Sequence, residues 1–245
     1  MKNYREKIYK YYSNISGRDL APQTIEGFKS REPFFDKIIN EHFPKNKDIN
    51  ILEIGCGYGS FGYFIQKSGY KNYIGIDGSE SQVNEAQRLG INIELGNLVE
   101  YIQNLDDESI DLLIAIDVIE HFTKEELSDL VDDFYRVLKK DGKIITHQPN
   151  AESPFGNSIR YGDFTHELAF TRSSISQLFL SSGFESVKSY EDKPIPHGLK
   201  SKVRRILWDN MVRPIYKFAL IVESGGGRQR YCFNQEFFNK YKKVA

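Results

Sequence analysis

The sequence predicts an α/β domain built on a doubly wound, mostly parallel sheet. Five short apolar runs alternate with helical patterns up to residue 150, and this alternation is typical of parallel strands joined by crossover helices. The fourth run, IDLLIAIDVI at 110–119, is almost continuously apolar, as expected of a central strand covered on both faces. A chain of 245 residues is long enough for one such domain with additions, and we expect a single domain over 1–245.

The predicted elements follow from periodicity and from start and stop signals. The strands are the apolar runs at 49–55, 72–78, 91–97, 110–119 and 143–150. The helical patterns cover 33–43, 60–70, 79–90 and 124–142. Ser79 is a cap candidate, Gly69 and Gly90 stand at helix ends, and the helix over 124–142 ends in Lys-Lys-Asp-Gly. A helical pattern over 198–222 and a last strand within 228–243 follow.

Composition excludes several classes of function. The net charge is −1 and the pI is near 6.5, so no overall electrostatic attraction to nucleic acid is expected. No run is long and apolar enough to span a membrane. The two cysteines, and an N-terminus without the apolar core of a secretory signal, favour a cytoplasmic location. Cys56 is expected to be a small buried loop residue, and no metal site is predicted.

Polar and glycine residues follow each predicted parallel strand. Because ligands of such sheets bind beyond the carboxyl ends of the strands, we expect these residues to line one rim. They are Gly55 to Gly59, Asp77, Asn97, Asp117 to His121, and His147 to Asn150.

Alternate glycines at 55, 57 and 59 indicate a ligand that lies against the main chain. One alternative is a tight turn without a ligand. Another is a dinucleotide turn, because Gly57, Gly59 and Gly62 satisfy G-x-G-x-x-G. Gly62 would then fall well inside the helix, and Glu53 would bring negative charge close to a pyrophosphate.

The motifs LEIGCGYG, IGIDGS, GN and DVIEH together resemble the cofactor half of class I S-adenosylmethionine-dependent methyltransferases. The resemblance implies a Rossmann-like methyltransferase fold with a seven-stranded, mostly parallel sheet. It also implies an N-terminal helical lid at 1–48, a cofactor-binding half at 49–150, and an acceptor-binding half at 151–245 with a C-terminal helical insertion. The implied cofactor is S-adenosyl-L-methionine, with S-adenosyl-L-homocysteine as product.

The resemblance also implies roles for single residues. Asp77 would accept hydrogen bonds from the ribose hydroxyls, Asn97 and Leu98 would flank the adenine, and Asp117 with Val118 would close the methionine side. For Asp117 and Val118 the alternative is a polar end to a buried strand. The implied cofactor-binding residues are Glu53, Gly55, Gly57, Gly59, Asp77, Gly78, Asn97, Leu98, Asp117, Val118 and His121.

The histidines bear on the acceptor atom, because a hydroxyl must lose a proton as it attacks whereas a neutral amine needs only its lone pair. His166, with Asp163 to orient its imidazole, is the first candidate for the base. His147 is the second, with a hydrogen bond to a neighbouring loop as its alternative role. His121 is expected mainly to shape the pocket, and Arg160 and Tyr161 to bind the acceptor.

Residues 149–184, with P-N, R-Y-G-D-x-T-H and a closing G-F, resemble the segment after strand five in bacterial methyltransferases encoded among surface-polysaccharide genes. This implies O-methylation of a sugar, nucleotide sugar or phosphorylated metabolite in capsule or surface-polysaccharide biosynthesis. Tyr11, Tyr12 and Arg31 match the lead helices of such enzymes and are lid or acceptor-binding candidates. A solvated helix face is the alternative.

The pattern over 198–222 combines apolar residues at helical spacing with six basic residues. We interpret it as a helix packed on the domain with a solvated cationic side. The alternatives are a phosphate-binding lip for the acceptor and a contact with a membrane surface.

The rival functions come from other classes. DVIEH also occurs in quinone-pathway phenol O-methyltransferases, and an N-methyltransferase would share the cofactor motifs. A non-catalytic domain that binds S-adenosylmethionine or a protein partner, and a nicotinamide-dependent oxidoreductase, are further alternatives.

Overall fold

A computed structural model describes residues 4–9, 24–191, 195–196, 198–224 and 236–243. Within these residues one seven-stranded sheet runs in the order β3-β2-β1-β4-β5-β7-β6. Strands β1 to β5 are parallel, and β7 is antiparallel to both β5 and β6, which confirms the predicted fold class. The strands are β1 Ile51–Ile54, β2 Tyr73–Asp77, β3 Ile93–Leu95, β4 Ile110–Ile116, β5 Leu138–Pro149, β6 Ser186–Glu191 and β7 Glu236–Lys242.

Helices cover both faces of the sheet. In chain order they are α1 Tyr4–Tyr9, α2 Glu32–His42, α3 Ser60–Lys67, α4 Glu80–Arg88, α5 Leu98–Gln103, α6 Lys124–Val137, α7 Gly156–Arg160, α8 Arg172–Ser181, α9 Leu199–Leu207 and α10 Arg213–Ser224. Short 3₁₀ turns lie at Ile25–Arg31 and Ile119–His121, and a π-helical turn at Trp208–Val212 joins α9 to α10. In the described part of the chain, no helix combines the length and apolarity needed to cross a bilayer.

Two apolar cores lie on opposite sides of the sheet. Leu52 and Ile54 of β1 point into the core formed with α5, α6 and α8. Ile51 of the same strand points into the other core, which α2, α3 and α4 cover. The alternation of β1 residues between two buried layers is the property of a strand covered on both faces.

Helix α6 ends five residues earlier than predicted. It begins with a capping box between Thr123 and Glu126 and ends at Val137, so the Lys-Lys-Asp-Gly sequence does not end the helix. Instead, the buried Leu138 pairs with Ile110, and a register irregularity follows before Lys143 resumes the ladder. Burial of Leu138 between strands therefore prevails over a local helix-stop pattern.

The helical segment over 199–224 differs from the prediction in its orientation. Its apolar side chains are exposed, and they include Ile206, Ile215 and Phe218. The interpretation that these apolar residues pack on the domain is therefore wrong. The opposite side of the segment faces the domain, where Ser201 is buried and the Tyr216 ring lies edge-on to Phe155.

The aromatic contacts of the antiparallel edge give a test of this packing. Phe179 is 0% exposed and its ring stacks on Tyr241 with centroids 3.6 Å apart, whereas the adjacent Leu180 is 48% exposed. We expect Phe179→Ala to lower the free energy of unfolding by about 3–5 kcal/mol, because it leaves a cavity under β7. Leu180→Ala should change it by less than about 0.5 kcal/mol. Urea unfolding of both variants measures the difference, and equal losses would contradict the described placement of α8.

Candidate active site

The turn after β1 requires glycine. Gly55, Gly57 and Gly59 adopt φ of 62°, 56° and 76°, in the left-handed region. A Cβ atom at Gly55 would lie 2.4 Å from Cγ2 of Val118, and one at Gly57 would lie 2.7 Å from Oε1 of Gln82. The turn therefore presents bare main chain at the rim of the sheet.

The carboxylate of Asp77, at the end of β2, is fixed from two sides. Its Oδ2 accepts a hydrogen bond from the N–H of Gly57 and its Oδ1 accepts one from the N–H of Ser79, both at 2.8 Å. Burial raises the pKa of Asp77 and the two N–H donors partly offset that rise. Because each carboxylate oxygen has a second lone pair, both can still accept from a ligand hydroxyl.

Glu53 lies in β1 beneath the glycine turn, and its side chain is buried. The Tyr73 hydroxyl donates to its Oε2 at 2.6 Å. Burial raises the pKa of Glu53 to about 8, the Tyr73 hydrogen bond opposes this, and the Asp77 charge adds to it. Glu53 is therefore largely protonated at neutral pH, and its contact with a cofactor stays a prediction. The neighbouring Cys56 thiol is buried too, and burial raises its pKa, as expected of an unreactive loop cysteine.

Asn97 caps a helix, a role that was not predicted from the sequence. Its Oδ1 accepts from the N–H groups of Val99 and Glu100 and so caps α5. Its amide nitrogen is a donor that can still serve an adenine edge. The signal was present in the sequence, because asparagine followed three residues later by glutamate is typical of a helix start. A Cβ at Gly78 would meet only the Gly96 carbonyl at 3.8 Å, so contacts with the protein alone do not require glycine there.

Asp117 and His147 form a pair at the ends of β4 and β5. The Oδ1 of Asp117 lies 2.5 Å from Nδ1 of His147, whose buried ring meets Phe34 edge-on. Burial disfavours the charged carboxylate, but the charge and hydrogen bond of His147, with Arg31 nearby, lower the pKa of Asp117 overall. This arrangement favours the alternative weighed for His147, a hydrogen bond to a neighbouring loop, over a base that faces the acceptor.

The acceptor segment, residues 149–184, folds against the turn after β4. The carbonyl of the buried Glu120 accepts from the N–H groups of Glu167 and Leu168 at 2.8 and 3.0 Å. The guanidinium of Arg160 donates to the carbonyls of His166 and Glu167. These two bonds use two of the five guanidinium N–H donors and fix the shape of the loop, and the expected role of Arg160 in binding the acceptor stays a prediction. Tyr161 lies under the Arg160 guanidinium and is 76% exposed.

His121 is held by a relay of hydrogen bonds. The carboxylate of Asp163 accepts from both the N–H and the hydroxyl of Thr165, at 2.8 and 2.6 Å. Because the Thr165 proton is used there, Nδ1–H of His121 donates to Thr165 Oγ1 at 2.9 Å. Burial, together with the nearby His166, lowers the pKa of His121 to about 4. His121 is therefore neutral at neutral pH.

His166 lies beside this relay. Its Nδ1 is 3.0 Å from the carbonyl of Ile159, and because a carbonyl only accepts, Nδ1 carries the proton. Its Nε2 lies 4.0 Å from Oε1 of Glu120. The expectation that Asp163 orients this imidazole needs correction, since the Ile159 carbonyl does so at Nδ1.

Glu120, His121 and His166 also form a group that could hold a metal ion. In the described part of the chain their ligand atoms all lie within 4.8 Å of one another. Imidazole nitrogen and carboxylate oxygen are ligands of zinc and of other transition metals. No metal site was predicted from the sequence, because His166 lies 45 positions after His121 in the chain.

Helix α1 lies over the acceptor segment. The Tyr4 hydroxyl donates to the Glu167 carboxylate, and the Tyr4 ring meets Phe164 edge-on at 6.0 Å. Arg5 forms an ion pair with Glu126 of α6 at 2.8 Å. Arg31 stacks over Phe34 at 5.6 Å, near Asp117. Tyr11 and Tyr12, the other lid candidates, lie outside the described residues.

The matching family and the similar solved structures are named as methyltransferases. A family defined as a methyltransferase domain matches residues 28–189. Cyclopropane mycolic acid synthase 3 of Mycobacterium tuberculosis is 22% identical over 201 residues, which cover 80% of this chain and 69% of that protein. A SAM-dependent methyltransferase from Archaeoglobus fulgidus superposes with a TM-score of 0.64 at 23% identity, over 89% of this chain and 97% of that one. Phosphoethanolamine N-methyltransferase 2 of Haemonchus contortus, in complex with S-adenosyl-L-methionine, superposes with a TM-score of 0.62 at 15% identity, over 97% and 60% of the two chains.

The raised pKa of Glu53 predicts a stability that falls with pH. The folded pKa of about 8 lies above the unfolded value of about 4.3, so the folded state retains a proton that the unfolded state loses. We expect the wild-type free energy of unfolding to fall between about pH 5 and pH 8, by roughly 4 kcal/mol. Glu53→Gln keeps an acceptor for Tyr73 and should remove most of this decline. Urea unfolding at several pH values measures it.

Glu125→Gln, at an exposed position of α6, is the matched control and should follow the wild type. Parallel pH profiles for wild type and Glu53→Gln would contradict the assignment of a buried proton to Glu53.

Proposed function

The chain belongs to the class I S-adenosylmethionine-dependent methyltransferases, and from this premise we propose that it methylates an oxygen atom of a small polar acceptor. Its cofactor is S-adenosyl-L-methionine. When bound, this cofactor supplies a methyl group that its sulfonium has already activated. The protein therefore needs no nucleophile of its own, and its contribution is orientation and control of one proton.

The rim of the sheet fits the cofactor. The bare main chain at 55–59 leaves room for a ligand that a Cβ would exclude, and the fixed carboxylate of Asp77 suits a pair of vicinal hydroxyls. Asn97 and Leu98 would flank the adenine, with the amide nitrogen of Asn97 as donor. Val118, which packs against Gly55, would close the methionine side with Asp117.

The observation that carries O-methylation is the orientation of His166. Its Nδ1–H is committed to the Ile159 carbonyl, so Nε2 is the atom that can accept a proton. As the acceptor oxygen forms its bond to the methyl carbon, its hydroxyl proton would pass to Nε2 of His166. The Glu120 carboxylate, 4.0 Å from Nε2, would stabilise the resulting imidazolium.

The proposed class of acceptor is inferred from the side chains of the loop at residues 160–167. Its side chains are polar or aromatic, and Tyr161 and Phe164 present exposed rings. Exposed rings beside hydrogen-bonding groups suit the mixed apolar and polar faces of a sugar. With the motif resemblance of residues 149–184, this supports a sugar, nucleotide sugar or phosphorylated metabolite. The proposed setting is capsule or surface-polysaccharide biosynthesis in the cytoplasm.

The second candidate is N-methylation. It is favoured by the likeness to a protein named as a phosphoethanolamine N-methyltransferase, and a neutral amine would need no base. A quinone-pathway phenol O-methyltransferase shares the DVIEH motif. The oriented His166 favours an aliphatic hydroxyl, which is the acceptor that most needs a base.

Purified protein incubated with S-adenosylmethionine and separate panels of nucleotide sugars, sugar phosphates, amines and phenols tests the proposal. Mass spectrometry of the products locates the added methyl group. Methylation of a sugar or phosphorylated-metabolite oxygen supports the proposal. Turnover confined to amines or phenols would reject it in favour of the corresponding alternative.

Substitution of His166 tests its role as base. His166→Asn keeps a donor for the Ile159 carbonyl but removes Nε2, so we expect turnover to fall by about 10²–10⁴-fold. Calorimetric affinity for S-adenosylhomocysteine should stay near that of the wild type. His42→Gln, where the imidazole packs against Tyr190 at the end of α2, is the matched control and should retain turnover. A His166→Asn enzyme with undiminished turnover would remove His166 from the mechanism.

A further inference from the structure

A continuous apolar stripe faces solvent along the segment formed by α9, the π-helical turn and α10. Its side chains are between 45% and 79% exposed. Most apolar side chains of comparable size in helices α2 to α6 are buried, whereas no part of the chain that the structure describes covers this face to the same extent. The apolar stripe consists of Leu199, Val203, Ile206, Leu207, Met211, Ile215, Phe218, Ile221 and Val222.

The π-helical turn keeps the apolar stripe on one side. Pro214 has no N–H to donate within the helix, and its ring crowds the preceding turn. The backbone widens to π geometry over Trp208–Val212, which ends two residues before Pro214. Stripe residues from 199 to 215 recur mainly every four positions, a spacing that drifts around an α-helix of 3.6 residues per turn. The wider turn compensates this drift, and α9 and α10 expose their apolar residues together.

Basic side chains flank the apolar stripe. Helix α9 contains four basic residues and no acidic residue. At 100° per residue, Lys200 and Lys202 lie on opposite sides of Leu199 and Val203, and Lys200, Lys202 and Arg204 are exposed. Lys217 is exposed on α10. Long lysine and arginine stems can extend along apolar surface and keep their charges at its edge.

Two other basic residues serve the protein itself. Arg205 forms an ion pair with Asp209 at 2.5 Å, and Arg213 forms one with Glu191 of β6 at 3.4 Å. These pairs lie toward the side that faces the domain. Arg205 and Arg213 thus stabilise the fold, whereas the exposed lysines and Arg204 lie beside the apolar stripe.

We propose that the apolar stripe docks the protein on a bilayer surface that contains anionic lipids. An interfacial helix presents an apolar face flanked by lysine and arginine and lies in the plane of the membrane surface. The segment 199–224 has six basic and two acidic residues, although the whole chain has a net charge of −1. This local excess matches the negative potential of an anionic bilayer.

A second copy of the chain fits this face less well. A symmetric dimer would place the same surface on both sides of the contact, and the excess of basic residues in the segment 199–224 would then put net positive charge on both sides. Repulsion between like charges opposes that contact. An anionic lipid surface supplies both an apolar layer and negative charge.

The helical segment that carries the apolar stripe also contacts the acceptor segment. Tyr216 of α10 meets Phe155, which immediately precedes α7, and the carbonyl of Ile159 in α7 orients His166. The segment is thus in direct contact with the acceptor side of the site. Membrane docking does not depend on the identity of the acceptor, and its test uses no turnover measurement.

Cosedimentation with vesicles tests the docking. We expect the full chain to partition into phosphatidylcholine vesicles that contain about one-third phosphatidylglycerol, at least about tenfold more strongly than into pure phosphatidylcholine. Raising the salt from about 0.1 M to about 0.5 M should weaken this binding. Equal partition into both vesicle types, or none into either, would overturn the proposal.

Variants locate the contact. Ile206→Ser with Phe218→Ser removes apolar area, and Lys200→Glu with Lys202→Glu reverses charge, so each pair should lower partition into anionic vesicles about tenfold or more. The matched controls are Leu180→Ser, at an exposed position of α8, and Lys45→Glu with Lys71→Glu, also at exposed positions, and both should bind as the wild type does. Thermal unfolding verifies that all variants fold.

Analytical ultracentrifugation of the same variants distinguishes docking on a bilayer from a contact between two copies of the chain. If the wild type were a dimer that Ile206→Ser with Phe218→Ser dissociates, while vesicle binding stayed unchanged, the face would be a contact between copies and the proposal would be wrong. Unchanged vesicle binding in both stripe variants would likewise overturn it.

Discussion

The arrangement of the site depends on the hydrogen bonds that fix the Asp77 carboxylate between two strand ends. Gly57 N–H and Ser79 N–H each hold one of its oxygens, so the turn after β1 and the turn after β2 form one rigid surface. Parallel pairing of β1 with β2 brings the two turns together. Below them, the buried Glu53 keeps a proton near neutral pH because burial raises its pKa to about 8. The Glu53 side chain therefore adds little negative charge to that of the Asp77 carboxylate.

The acceptor side is built differently. Its residues come from a loop whose position depends on main-chain bonds to the Glu120 carbonyl and on the Arg160 guanidinium. Two imidazoles, His121 and His166, are each oriented at Nδ1 by an oxygen, from Thr165 and Ile159 respectively. The sheet thus supplies a fixed half for the cofactor, and loops supply the half that sets the acceptor. The motifs belong to the half that binds the cofactor, so they identify the family. The loops that bind the acceptor carry less specific motifs, so the acceptor is not identified in the same way.

The sequence predicted the fold well up to residue 137, because buried parallel strands and amphipathic helices have distinct periodicities. It failed at Leu138, where pairing with Ile110 outweighed a pattern typical of a helix end. Which atom orients His166 was beyond prediction, since the Ile159 carbonyl meets it only through the fold of the loop. The direction of the apolar face of α9 and α10 was also unpredictable, because periodicity reveals a face but not what lies against it.

A crystal structure with S-adenosylhomocysteine tests the central claim most directly. The account predicts that the ribose hydroxyls lie within hydrogen-bonding distance of the two Asp77 carboxylate oxygens, with the Gly57 and Ser79 N–H bonds retained. The main chain at 55–59 should contact the ligand without a shift in its left-handed backbone angles. A ligand bound away from this turn, or an Asp77 side chain that turns from the ribose, would contradict the account.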